Sequence, residues 1–137
     1  MRAMCAVVLA SILPAPAAHA AGPKIREQQI QFEKGETGAT LKGTIQGDET
    51  VDYKLRAAAG QSMVVHFQAK NASAYVNVLP PGSDEALFVG SSSGNRFEGT
   101  LPVGGEYTIR VYLMRNAARR NESTTYTLEV SVTGAVP

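Results

Sequence analysis

Residues 106–132 read EYTIRVYLMRNAARRNESTTYTLEVSV, and this stretch decides the fold. Tyr107, Ile109, Val111 and Leu113 alternate with Thr108, Arg110, Tyr112 and Met114. After a basic insert the period resumes, with Tyr126, Leu128, Val130 and Val132 alternating with Thr127, Glu129, Ser131 and Thr133. A period of two marks strands with one buried and one wet face. Working outward, Leu41–Gln46, Val51–Arg56 and Met63–Gln68 show the same alternation. Shorter apolar runs at Tyr75–Leu79 and Ala86–Gly90, and a first strand near Ile30–Phe32, bring the expected count to about eight. Turn residues separate them: Gly47-Asp48, Ala59-Gly60, Pro80-Pro81-Gly82, Ser93-Gly94-Asn95 and Gly104-Gly105. Strands at this spacing predict an all-β chain folded as a single antiparallel, jelly-roll-like β-sandwich. Only the insert MRNAARR, 114–120, permits a short helix.

The N-terminus is a different kind of sequence. Arg2 is followed by the apolar run Ala6–Leu13, then Pro14 and Pro16, then Ala18-His19-Ala20. This is the pattern of a cleaved export signal over residues 1–20, with the sandwich domain over 21–137. The apolar run is shorter than the roughly 20 residues that span a bilayer, so no membrane insertion is expected after cleavage. Cleavage removes the one cysteine, Cys5, so no disulfide can staple the remainder. It also takes Lys+Arg from 13 to 12, equal to the 12 Asp+Glu. A neutral domain lacks the long-range attraction behind nucleic-acid binding, and three arginines in one insert make only a local patch.

No catalytic constellation is visible. His66 is the single histidine after cleavage and sits on the polar side of a strand, with no HExxH or GxSxG pattern near it. Asp48-Glu49 and Asp84-Glu85 read as solvated turn charges, and no glycine-rich loop leads from a strand into a helix. The expectation is a protein with no enzymatic activity, no metal and no cofactor. Asn71 and Asn121 open glycosylation-type triplets, read as chance matches in a bacterial exported chain.

One segment has the composition of a recognition loop, and the basic insert is a candidate second contact. GSSSGNRFEG, 90–99, joins adaptable hydroxyls to a guanidinium and one ring: Ser92, Ser93, Gly94, Asn95, Arg96 and Phe97. The basic insert supplies Arg115, Asn116, Arg119 and Arg120 as a second contact. Its other reading is structural, a helical turn whose arginines donate to loop carbonyls.

With these motifs in order, GTIQGDETVDYKLRAAAGQSMVVHF (43–67), NVLPPGS (77–83) and GTLPVGGEYTIRVYLMRNAARRNESTTYTLEVSV (99–132) resemble the periplasmic proteinaceous lysozyme inhibitors of Gram-negative bacteria. The resemblance is to the branches directed at i-type and g-type lysozymes. It runs from about Phe32 to Val132, and part of its framework is shared with pre-peptidase C-terminal β-sandwich domains. The resemblance implies a periplasmic β-sandwich whose loops plug the lysozyme's substrate cleft. Several branches insert a Ser-Gly pair followed by tyrosine; Ser93-Gly94 matches the pair, and Phe97 stands where the tyrosine is looked for. The partner implied is a lysozyme, i-type or g-type, with a homodimer left open. The alternative is a pre-peptidase-like module binding an envelope protein or carbohydrate. The absence of tryptophan and the inward register of most tyrosines count against sugar.

Overall fold

Strands β1 (Ile25–Gln29), β2 (Gly38–Gln46), β3 (Thr50–Ala57), β4 (Ser62–Ala69), β5 (Ala74–Leu79), β6 (Phe88–Val89), β7 (Arg96–Thr100), β8 (Gly105–Leu113) and β9 (Ser123–Thr133) form two sheets. Their order is β1-β3-β8-β5-β6 in one sheet and β2-β9-β4-β7 in the other. Among the described residues two short helices, α1 (Gly90–Ser93) and α2 (Arg115–Arg119), lie in connections. The computed structural model describes residues 24–134; the expected export segment, 1–20, lies outside them.

The alternation read from the sequence sets the layers. Tyr53, Met63, Val65, Phe67, Val76, Tyr107, Ile109 and Leu128 point between the sheets and are almost completely buried. Each such side chain contributes on the order of 1.5–3 kcal/mol by leaving water. Tyr126 of β9 and Tyr53 of β3 meet across the core with hydroxyl oxygens 2.6 Å apart, tying one sheet to the other. Burial and this hydrogen bond push the Tyr126 phenol well above its ordinary pKa. Gly43 makes room for the pair, because a Cβ there would overlap the Tyr126 ring.

One reading of the sequence is sharpened and three need correction. Among the described residues there are nine strands, in keeping with the expected count of about eight, and β7 forms inside the segment read as a loop. It pairs with β4 in the register Val65↔Phe97 and His66↔Arg96. The first strand is Ile25–Gln29, not Ile30–Phe32, and it runs parallel to β3 in an otherwise antiparallel sandwich. All five of its residues are exposed, so backbone pairing places it, helped by hydrogen bonds from Arg26 to the Thr44 carbonyl and from Gln29 to Glu106; Ile30, next in the chain, is the first to enter the core. Gly90–Ser93 is helical, although GSSS carries no helical pattern. Arg110 is not simply a wet-face residue. Its Nε and a terminal nitrogen donate to the two Asp52 carboxylate oxygens at 2.8 and 2.9 Å, and Asp52 is only 3% exposed. The hydrogen bond to Asp52 raises the Arg110 pKa.

Strand directions decide which connections are neighbours. At one end of the sandwich lie the β2–β3 turn (47–49), the β4–β5 loop (70–73), α1 and the α2 insert (114–122). All four cross from one sheet to the other. The opposite end carries 30–37, 58–61, 80–87 and 101–104.

Candidate interaction site

The two recognition segments, 25 residues apart in sequence, therefore share one end of the molecule. In the first, α1 is a single turn closed by the Gly94 N–H donating to the Gly90 carbonyl at 2.9 Å. Gly94 has φ of 101°, a region that glycine enters freely and other residues rarely do. Gly90 is required for a different reason: a Cβ there would run into the Val76 backbone. Ser91, Ser92, Ser93, Gly94, Asn95 and Arg96 are all exposed. Arg96 reaches Glu98 at 3.4 Å. Phe97 stands apart from these six. The β7 pleat turns its ring inward onto Phe88, with centroids 5.5 Å apart, so it supports the loop from beneath rather than forming its tip.

The second segment is anchored by Ala117, which is fully buried in α2. Asn116 Oδ1 accepts from the Ala117 N–H at 2.9 Å, and Asn121, at φ 55°, turns the chain back toward β9. Arg120 Nε donates to Glu122 at 2.6 Å. Hydrogen bonds from Asn71 and then from Arg120 lower the Glu122 pKa. Among the described residues no guanidinium of the insert donates to a loop carbonyl, so the expected structural role passes to the Arg120–Glu122 pair. Arg115 and Arg119 are exposed and have no acidic partner among the described residues.

The β4–β5 loop joins the two. Asn71 donates through Nδ2 to Glu122 at 2.9 Å and through its N–H to Thr124 at 3.0 Å, while its Oδ1 accepts from the Ser73 N–H. The Ser73 carbonyl accepts from the Met114 N–H at the start of the insert. On the other side, a recess of about 290 Å³ separates this loop from α1, with Phe67, Ala69 and Ala74 at its floor and Asn71, Ser91, Ser92 and Asn95 at its rim. Sequence reasoning treated Asn71 as a chance triplet; here it is the hub of the end. A larger concavity, about 720 Å³, lies on the outer face of the β2-β9-β4-β7 sheet. His66 in it is 3.8 Å from Glu129, and Thr40 and Ser131 also line the wall. Among the described residues no group of three His, Cys, Asp or Glu comes together as a metal cage.

Among the described residues the sandwich offers exposed hydroxyls and guanidinium groups together at one end, a composition suited to protein recognition. No family model matches the chain. The periplasmic inhibitor of g-type lysozyme from Aeromonas hydrophila is 39% identical, with TM-score 0.74 over 80% of this chain and 98% of that one. The corresponding inhibitor from Salmonella Typhimurium is 26% identical, with TM-score 0.63 over 79% and 98%. The inhibitor of g-type lysozyme of Escherichia coli K12 is 29% identical over 130 residues, 93% of each chain. This chain belongs to the family of periplasmic inhibitors of g-type lysozyme. The pre-peptidase C-terminal domain of a Bacillus anthracis collagenase, 20% identical with TM-score 0.54, shares the fold alone.

Proposed function

We propose that this protein is a periplasmic, non-catalytic inhibitor of g-type lysozyme that presses the α1/α2 end of its sandwich against the enzyme's substrate cleft. The carrying observation is the 39% identity across nearly the whole A. hydrophila inhibitor. The three inhibitors named above are directed at g-type lysozyme, which favours that half of the i-type or g-type expectation. A homodimer has no part in this reading.

The geometry supports a simple mechanism. Lysozymes are glycoside hydrolases, and such enzymes work with carboxyl groups flanking the scissile bond. Ser92 and Ser93 offer hydroxyl donors, and Arg115 and Arg119 offer guanidinium forks not engaged by acids of their own chain. Arginine suits this role because its planar donors match a carboxylate two at a time. One desolvated charge-assisted hydrogen bond contributes roughly 1.5–3 kcal/mol, so several must act within a matched surface to give tight inhibition. Asn95, Arg96, Asn116 and Arg120 border these groups, and Phe97 holds the loop's height. The export segment at residues 1–20 would deliver the domain to the compartment where peptidoglycan is exposed to lysozyme.

The test is lysis of peptidoglycan by g-type, i-type and c-type lysozymes with increasing purified protein. Inhibition of the g-type enzyme with little effect on the others is expected. Undiminished g-type lysis at micromolar protein overturns the proposal.

A further inference from the structure

The start of α1 lacks the support a helix normally has. Helix N-termini usually follow Ser, Thr, Asp or Asn, whose side chain accepts from an unpaired backbone N–H. Val89 occupies that place and makes no such bond. The acceptor comes instead from β5: Asn77 Oδ1 receives the Gly90 N–H at 3.3 Å. The same oxygen receives the Tyr112 hydroxyl at 3.0 Å. A backbone N–H can only donate, which fixes this end of the amide as oxygen. Tyr112 belongs to β8, two residues ahead of Met114, where the insert begins.

Asn77 faces the outer side of its sheet, while Val76 and Val78 on either side of it point into the core. Its side chain therefore adds nothing to core packing. The chain is held before α1 by the Val89–Asn77 strand pairing and after it by the Phe67 N–H donating to the Asn95 carbonyl; at the start of the turn itself stand the close approach of Gly90 to the Val76 backbone and the Asn77 side-chain oxygen.

We propose that Asn77 is the positioning residue for the α1 contact, with Tyr112 holding Asn77 in place. It sets where Ser91, Ser92 and Ser93 stand relative to the α2 insert. This inference rests on the reading that α1 contacts lysozyme.

The experiment compares inhibition constants for g-type lysozyme, thermal midpoints and amide exchange across Gly90–Gly94. Asn77→Leu keeps the bulk and removes the acceptor; Asn77→Asp keeps the acceptor. Losing one oxygen that serves two donors is expected to weaken inhibition roughly tenfold and to speed exchange at Gly90–Gly94, with Asn77→Asp within about twofold of wild type. Ser92→Ala is expected to weaken inhibition less in the Asn77→Leu background than in wild type, because the serine is already displaced. Arg119→Ala is expected to have the same effect in both. If Asn77→Leu does not fold, Tyr112→Phe carries the test, with a roughly threefold weakening expected from one lost hydrogen bond. A folded Asn77→Leu protein with an unchanged inhibition constant overturns the inference, as does equal coupling to Ser92 and Arg119. Failure of the wild type to inhibit overturns the proposed function itself; an inhibiting wild type beside an unchanged Asn77→Leu overturns only this inference.

Discussion

The two loops at the proposed binding end are held by opposite means. α1 is made of glycine and serine, has no long side chain, and is placed from outside by the β5 backbone and by Asn77. The α2 insert largely places itself, through the buried Ala117 methyl, the Asn116 side chain bonded to the next N–H and the Glu122 carboxylate shared by Arg120 and Asn71. A loop of small residues can be positioned only by its neighbours. A loop of long residues can be braced by some of them and still present the others, here Arg115 and Arg119, to solvent.

The most damaging test of that contrast is Gly90→Ala. The new methyl would meet backbone, which cannot rotate away, so about 1–3 kcal/mol of stability is expected to go, with most of the inhibition. Urea unfolding and the inhibition constant read both; unchanged stability would mean α1 is not pinned as described. Asn71→Ala comes next, since it strips one partner from Glu122 and leaves the Thr124 hydroxyl contact as the loop's main tie to β9. A loss of about 1–2 kcal/mol in the same unfolding assay is expected. Faster amide exchange should appear at 114–122 rather than at Gly90–Gly94. Replacing both Arg115 and Arg119 with alanine separates presentation from bracing. Stability should stay within about 0.5 kcal/mol while inhibition weakens tenfold or more. The reverse pattern would make these arginines structural.

The smallest effect is in acid. A carboxyl with a depressed folded-state pKa contributes stability above the ordinary carboxylate range, and loses it as pH falls through the folded value. Glu122 is such a group, so wild type should exceed Glu122→Gln by a constant margin above about pH 5, narrowing in more acidic solution. α1 contains no titratable side chain. Its exchange, corrected for the intrinsic pH effect, should not follow the same course. A margin independent of pH would remove Glu122 from the brace.

These particulars also mark how far the sequence could be read. β8 and β9 were plain because their apolar residues fall on one side of a strict period. The locations of both loops were legible from turn residues and from the likeness to known inhibitors. β1 was not, since IREQQ has no buried face and is defined by its pairing with β3 and by two long-range side-chain hydrogen bonds. β7 was hidden because its one large apolar residue, Phe97, sits in a run of serine, glycine and charge. The supports of the loops left the faintest trace. Asn77 is a lone amide in YVNVL and Asn71 one polar residue among several, and each gains its role from a partner more than ten residues away. Asp52 shows the same limit: its charge predicts a wet position, and only Arg110, 58 residues on, makes its burial tolerable.

The parallel strand β1 has a practical corollary. Because it runs alongside β3, the chain enters the sandwich at Lys24 and Ile25 beside Thr50 and the β2–β3 turn, next to the α2 insert. β9 leaves at Gly134 beside Gln61, at the far end. A purification handle, fluorophore or surface tether fused ahead of Lys24 would crowd the face proposed to meet lysozyme, whereas one fused after Gly134 would leave that face open and pointing away from the support.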